Sequence, residues 1–101
     1  MHTNVQISHS NAVVTLQGRF DFSAHREFRE SCNACIDAKQ VREIELHLGG
    51  VEYLDSSALG MLLMLKERAD AVAKRVILSE CQGTVKKVLD IANFGKIFSF
   101  A

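Results

Sequence analysis

The part of the chain that most constrains its fold is the stretch Val51–Ala73, which reads VEYLDSSALGMLLMLKERADAVA. It contains no proline, and after an opening Asp55-Ser56-Ser57 its apolar residues recur three and four positions apart. These residues are Leu59, Leu62, Leu63, Leu65, Ala69 and Ala73. This spacing is typical of a helix with one buried face, and aspartate and serine commonly cap a helix start. We therefore predict a helix that runs from the Asp-Ser-Ser to about Val72.

A strand is predicted just upstream of this helix, because Ile44–Leu48 alternates apolar and polar residues. We place it at Glu43–Leu48 and expect Gly49-Gly50 to end it with a turn. The first N–H groups of the helix that follows have no internal partners, and the peptide dipoles concentrate partial positive charge there. The helix start can therefore accommodate a phosphate. The alternative is structural, with Asp55 or Ser56 acting only as the helix N-cap.

Strands and helices alternate along the rest of the chain in the order β-β-α-β-α-β-α-β. We predict further strands at Val5–His9, Ala12–Gln17, Arg75–Ser79 and, as a short strand or extended tail, Ile97–Phe100. We predict further helices at Ala24–Ala38, capped by Ser23, and after Thr84, which caps the third. Alternation of this kind favours parallel neighbours and right-handed crossovers. The expected fold is α/β, one domain over residues 1–101 with a four- or five-stranded mixed sheet and three or more helices.

Charge and hydropathy exclude several classes of protein. Lys plus Arg and Asp plus Glu both total 12, so the chain lacks the basic excess of a nucleic-acid binder. No apolar run reaches about 18 residues, so we expect no membrane span. The opening MHTNVQISHS has neither a basic start nor an apolar core, unlike a signal peptide. We expect a cytoplasmic protein.

The three cysteines indicate a reducing compartment, because an odd number in a short chain does not suit a disulfide framework. Cys32 and Cys35 form a C-x-x-C, but with Phe28 and Ile36 they follow the spacing of a buried helical stripe. We interpret them as core residues. Neither a second C-x-x-C nor an H-x-x-x-H accompanies them, and no P-loop is present, so we expect no metal and no cofactor.

Three segments together resemble the STAS domains, and most closely the single-domain anti-sigma factor antagonists of bacteria. They are Tyr53–Gly60 (YLDSSALG), Gly18–Asp21 (GRFD) and Val88–Phe94 (VLDIANF). Their order and spacing fit over nearly the whole chain, and Asp-Ser-Ser is the most specific part. The resemblance implies the α/β fold inferred above. It also implies a phosphorylation switch in which the unmodified form binds an anti-sigma factor or serine kinase with an ATP-binding fold. Phosphorylation releases that partner, and a serine phosphatase restores binding.

In the same family the serine directly after the aspartate is phosphorylated, which corresponds to Ser56. We expect the partner-binding surface to comprise Arg19, Asp21, Asp55, Ser56, Ser57 and Gly60. Gly60 is included because glycine in a helix costs about 1 kcal/mol relative to alanine, which suggests close approach by a neighbouring backbone or by a partner. Two residues depart from the family pattern: Ala58 replaces a frequent glycine, and Arg19 replaces a frequent glutamate.

Alternative interpretations remain open for the whole chain and for Arg19. An enzyme is not expected, because the sequence has no G-x-S-x-G motif, and Asp55 beside Ser56 is not a catalytic triad. A second possibility is a STAS subunit of a transporter or stress-sensing assembly that does not switch. Arg19 is either an interface residue that selects the partner or a solvated side chain with no partner of its own.

Overall fold

The computed structural model describes all 101 residues and contains the secondary-structure elements in the predicted order. The strands are β1 (His2–Ser8), β2 (Asn11–Phe20), β3 (Glu43–Leu54), β4 (Arg75–Ser79) and β5 (Ser99–Phe100). The helices are α1 (His25–Asp37), α2 (Ser56–Ala71) and α3 (Gly83–Ile91). The predicted α/β class is therefore confirmed.

The five strands form one mixed sheet in the order β1-β2-β3-β4-β5. The β1 strand pairs antiparallel with β2, and the other neighbours pair in parallel. Each parallel pair is joined by one helix, as parallel strands require, because a short hairpin cannot connect them. The predicted mixed sheet is confirmed, with five strands.

One face of the sheet carries the core. Val14, Leu46 and Leu78 lie side by side in register and are fully buried, whereas Thr15 and His47, one residue further along, are partly exposed. Successive strand side chains point to opposite faces, so this alternation assigns the apolar positions to a single face. The buried apolar residues form one continuous cluster between that face and the helices.

The β3 strand is longer than predicted, because Gly49-Gly50 does not end it. Gly50 pairs with Gln17 in the register of β2. A Cβ atom at Gly50 would lie 2.8 Å from Gln17 Cγ and 3.1 Å from the Leu16 carbonyl oxygen. The absence of a side chain therefore permits close pairing rather than a turn. As a result β3 continues to Leu54, directly before Asp55.

Both predicted serine and threonine caps are wrong. A 3-10 turn, Phe22–Ala24, precedes α1, and the N-cap residue of α1 is Ala24, which makes no side-chain capping bond. Ser23 instead lies inside that turn, which Asp21 caps. At α3 the N-cap residue is Gln82, and Thr84 lies within the helix. Each helix therefore begins one or two residues away from the position that would make Ser23 or Thr84 its N-cap.

Cys32 and Cys35 are buried in the core, which confirms that they pack as small apolar residues. Burial raises the pKa of the Cys32 thiol to about 12, with a further increase from the neighbouring Cys35. Burial also raises the pKa of Cys35. A thiol that stays protonated is a poor nucleophile and a poor metal ligand.

None of the three helices is both long enough and apolar enough to cross a membrane. No group of three or more His, Cys, Asp or Glu side chains is arranged to hold a metal ion.

Lys74 is a buried charged residue that ties the end of α2 to the end of α1. Its Nζ donates to the carbonyl oxygens of Cys35, at 2.9 Å, and Ala38, at 2.6 Å. The last carbonyl groups of a helix lack internal partners and carry partial negative charge, so an ammonium group suits them.

Lys74→Met should lower the free energy of unfolding by about 1.5–3 kcal/mol, because charge-assisted hydrogen bonds are lost and two carbonyl groups remain without them. Urea denaturation followed by circular dichroism measures this change. The matched control is Lys87→Met on α3, an exposed position where we expect a change within about 0.5 kcal/mol. Equal stability changes in the two variants would contradict a capping contribution from Lys74.

Candidate functional site at the start of α2

The start of α2 is capped by Asp55 and not by Ser56. Asp55 has an extended backbone, with φ −107° and ψ −177°. Its Oδ1 accepts a hydrogen bond of 2.9 Å from the backbone N–H of Ala58. Ser56 and Ser57 occupy the first two helical positions and are exposed. The Ser56 hydroxyl is therefore not the helix cap and faces solvent.

This helix start combines features that favour and oppose a phosphate on Ser56. A phosphoserine carries a charge of about −1.5 to −2 and three acceptor oxygens. The free N–H groups and the helix dipole would stabilise that charge by roughly 0.3–1 kcal/mol. Asp55 is a neighbouring carboxylate and would repel it. Phosphate could therefore be held locally without any rearrangement of α2, while the surface became strongly acidic.

The register between β2 and β3 brings a second segment to this helix start. Arg19 pairs with Tyr53, and Phe20 pairs with Leu54. The backbone N–H of Asp55 then donates to the Phe20 carbonyl oxygen at 3.3 Å. The carboxyl ends of parallel strands meet at one edge of a sheet, so the residues after Phe20 lie beside the residues after Leu54. The structure thus brings the Arg19–Asp21 segment close to the Asp-Ser-Ser.

Asp21 is fixed at this corner by the turn that follows it. Its Oδ1 accepts hydrogen bonds from the Ser23 backbone N–H at 3.0 Å and the Ser23 hydroxyl at 2.5 Å. The Ser23 hydroxyl bond is the main cause that lowers the pKa of Asp21, and Arg19 contributes in the same direction. The carboxylate therefore stays ionised at neutral and mildly acidic pH. It presents a fixed negative charge beside the Ser56 region.

Arg19 has two partners within the chain, so the interpretation of an unpartnered arginine is wrong. Its guanidinium carbon lies 4.1 Å from the centre of the Tyr53 ring, and its Nε lies 3.5 Å from Asp21 Oδ2. A cation held over an aromatic face is attracted by the ring quadrupole. The Arg19 side chain is still 60% exposed. It is therefore positioned but accessible, and its part in partner binding stays a prediction.

The structure separates the two reasons proposed for Gly60. A Cβ atom at this position would have no heavy atom within 4 Å, so the expectation of a closely approaching backbone is wrong. Gly60 is exposed one turn beyond Ser56 on α2, and approach by a partner stays a prediction. Ala58, the departure from a frequent glycine, is fully buried. Its methyl group therefore changes the core and leaves the exposed surface unaltered.

Two exposed aromatic residues at this site were not identified from the sequence. Tyr53 is 39% exposed, and Phe22 is 69% exposed with its ring centre 6.4 Å from that of His25. Aromatic side chains are enriched at protein interfaces. Tyr53 lies just before the Asp-Ser-Ser, and Phe22 directly follows Asp21. This position beside the predicted site residues is the only feature of the sequence that could have indicated them. Their exposure depends on the pairing of β2 with β3 and on the turn after Asp21, neither of which a periodicity reveals.

The residues brought together can bind a protein surface and present a hydroxyl for modification. Asp21 and Asp55 supply fixed charge, Ser56 and Ser57 supply exposed hydroxyls, and Arg19 supplies an accessible cation. Asp55, the acid directly before Ser56, directs its Oδ1 to a backbone N–H. A serine nucleophile needs a base that hydrogen-bonds its hydroxyl, and this carboxylate oxygen serves the helix instead.

Comparison with protein families gives one match over nearly the whole chain. The family model described as STAS domain matches residues 2–101. A STAS-domain containing protein of Pseudomonas aeruginosa (strain UCBPP-PA14) is 40% identical over 88 residues, which are 87% of this chain and 85% of that protein. The anti-sigma F factor antagonist of Lysinibacillus sphaericus is 30% identical over 96 residues, which are 94% of this chain and 82% of that protein.

Solved structures of the anti-sigma factor antagonist SpoIIAA are similar to this chain in fold and sequence. The unphosphorylated form superposes with a TM-score of 0.76 and 25% identity, over 99% of this chain and 87% of that chain. The phosphorylated form of the Bacillus protein gives a TM-score of 0.76 and 25% identity, over 99% of this chain and 91% of that chain. Both states of SpoIIAA therefore share the fold described above.

Proposed function

This chain belongs to the STAS domain family, and we propose that it is a regulatory protein of the anti-sigma factor antagonist type whose partner binding is switched by phosphorylation of Ser56. The unmodified form binds a serine kinase or anti-sigma factor with an ATP-binding fold. Phosphorylation releases the complex, and a serine phosphatase regenerates the binding form. The cycle takes place in the cytoplasm, with residues 1–101 acting as one domain. The observation that carries the proposal is the exposed Ser56 hydroxyl, which does not cap the helix because the Asp55 carboxylate does.

The switch acts through local charge. In the unmodified state the partner covers Ser56, Ser57 and Gly60, together with the corner that presents Asp21. A phosphate on Ser56 adds up to two negative charges beside Asp55 and Asp21. Binding a partner there would require removing water from the phosphate, which costs free energy. Any carboxylate of the partner at this surface would also repel the phosphate. SpoIIAA has been solved in both phosphorylation states with the same match to this fold, which supports a switch that does not refold the domain.

The deciding experiment is phosphate transfer followed by mass spectrometry. The purified chain is incubated with ATP and the serine kinase encoded nearest to its gene, and the modified residue is located by peptide fragmentation. We expect phosphate on Ser56 and none in Ser56→Ala. Phosphate on Ser57 alone would move the site by one residue. A chain that is stably held in a complex but never accepts phosphate would instead be the non-switching STAS subunit.

Arg19→Glu should weaken the native complex by roughly 1 kcal/mol at low salt, because it removes a positioned cation and places a second acid beside Asp21. The effect should shrink at high salt, where exposed charges are screened. Calorimetric titration at two ionic strengths measures it, and Arg19→Met is the matched control that removes the charge without reversing it. Unchanged affinity of Arg19→Glu at both salt concentrations would exclude Arg19 from the interface.

Gly60→Ala should raise the free energy of unfolding by about 0.5–1 kcal/mol, since the position is helical, exposed and free of nearby atoms. Gly60→Leu should not lower the melting temperature, yet it should reduce partner affinity, because a bulky side chain would project into the covered surface. Thermal melts and titrations of the two variants separate folding from binding. If Gly60→Leu binds the partner like the unmodified sequence, Gly60 lies outside the interface.

A further inference from the structure

A small, open groove of about 30 Å³ lies between α1 and α2, and residues of both helices line it. Its floor is apolar and consists of Phe28, Cys32, Met61 and Leu65, all of which are buried. Met64 lines the groove with a side chain that is 58% exposed. The floor and Met64 together give the groove an apolar surface that apolar side chains of a partner can contact.

The polar residues that line the groove are all basic. His25 and Arg29 come from α1, and Arg68 comes from α2. Arg68 donates a hydrogen bond to Asn33 Oδ1, which orients its guanidinium, and the structure pairs neither Arg29 nor Arg68 with a carboxylate of the chain. No acidic side chain lines the groove. An apolar groove whose arginines have no carboxylate partner suits a ligand that combines apolar side chains with carboxylates. A guanidinium can bind a carboxylate through two parallel hydrogen bonds.

We propose that this groove binds an acidic amphipathic helix of a partner protein, with apolar side chains seated over Phe28, Met61 and Met64 and carboxylates placed at Arg29 and Arg68. The geometry is that of a helix lying in a groove through residues spaced three and four apart. The proposal depends on the groove alone and holds whether or not Ser56 is phosphorylated.

A second copy of this chain is a poorer occupant than an acidic helix. A symmetric dimer through this face would bring the basic surface of one copy, with Arg29 and Arg68, against the same basic surface of the other. Like charges facing each other in a contact disfavour it. The charge of the groove therefore selects an acidic partner segment and acts against self-association.

The test uses two synthetic helical peptides of about 20 residues, which exceeds the length below which isolated helices are marginal in water. One contains leucine at helical spacing with glutamate and alanine elsewhere, and its twin has lysine in place of every glutamate. Each is titrated into the isotopically labelled chain, and backbone amide shifts are followed by NMR. The glutamate peptide should shift amides of α1 and α2 around the groove, whereas the lysine peptide should not. Arg29→Glu should lower the affinity for the glutamate peptide at least about 5-fold and raise the affinity for the lysine peptide.

The matched control is Arg26→Glu, which changes the same charge on the same helix at an exposed position that does not line the groove. It should leave the affinity of the glutamate peptide within about 2-fold, because Arg26 does not line the groove and salt screens an exposed charge. Several results would overturn the proposal: no shifts with either peptide up to about 1 mM, equal shifts with both, equal losses in the two arginine variants, or groove shifts that depend on protein concentration and report a dimer.

Discussion

The chain phosphorylated on Ser56 should bind its partner at least about 30-fold more weakly than the unmodified chain, a loss of about 2 kcal/mol. The phosphate would lie beside the carboxylates of Asp55 and Asp21, in the centre of the surface proposed for binding. Phosphate at the first position of a helix is compatible with the helix itself, so the loss should arise in the interface and not from unfolding. Calorimetric titration of both forms with the partner measures the ratio, and circular dichroism verifies that helix content is unchanged.

Three variants define what such a result means. Ser56→Ala should bind like the unmodified chain and resist the kinase, and its stability should change by no more than about 0.5 kcal/mol because Asp55 supplies the cap. Ser56→Asp should weaken binding only in part, since it adds one charge with a shorter reach. Ser57→Ala should remain switchable. The charge mechanism fails if phosphorylated protein retains full affinity. It also fails if Ser56→Ala loses as much affinity as phosphorylation does.

The order of elements could be predicted because each rests on a local pattern. The alternation in Ile44–Leu48 and the helical spacing after Asp55 are properties of a few consecutive residues. They survive in the structure because the sheet buries one face and α2 buries one stripe. The Asp-Ser-Ser could also be located in advance, since a helix start needs acceptors for its first N–H groups. Local chemistry therefore identified the helix start, although it could not decide whether aspartate or serine served as the cap.

What could not be predicted depends on atoms that are distant in sequence. Gly49-Gly50 was interpreted as a turn because glycine often ends a strand, but the deciding contact is with Gln17 on β2. The partners of Arg19 follow from a register that places Tyr53 opposite it. The groove between α1 and α2 likewise exists only once two helices pack. These features arise from pairing and packing, which a single stretch of sequence does not encode.

Phe20→Ala should have the largest effect on stability, lowering the free energy of unfolding by about 3–5 kcal/mol. Phe20 is fully buried, and its ring centre lies 4.9 Å from that of Phe28. Truncation would leave a cavity where β2 meets α1. For a domain of this size each kcal/mol corresponds to roughly 4–8 °C, so the melting temperature should fall by at least about 12 °C. Differential scanning calorimetry measures both quantities.

Phe22→Ala is the matched control, because it removes the same side chain two residues away from a site that is 69% exposed. It should leave the melting temperature nearly unchanged while reducing partner affinity. Phe20→Ala should reduce affinity as well, even at temperatures where it is folded. The cavity would let the backbone of residue 20 shift, and its carbonyl oxygen accepts the Asp55 N–H at the start of α2. If Phe20→Ala binds normally when folded, the core and the binding surface are energetically independent. If Phe22→Ala lowers the free energy of unfolding as much as Phe20→Ala does, the burial of the side chain does not determine the loss of stability at these two positions.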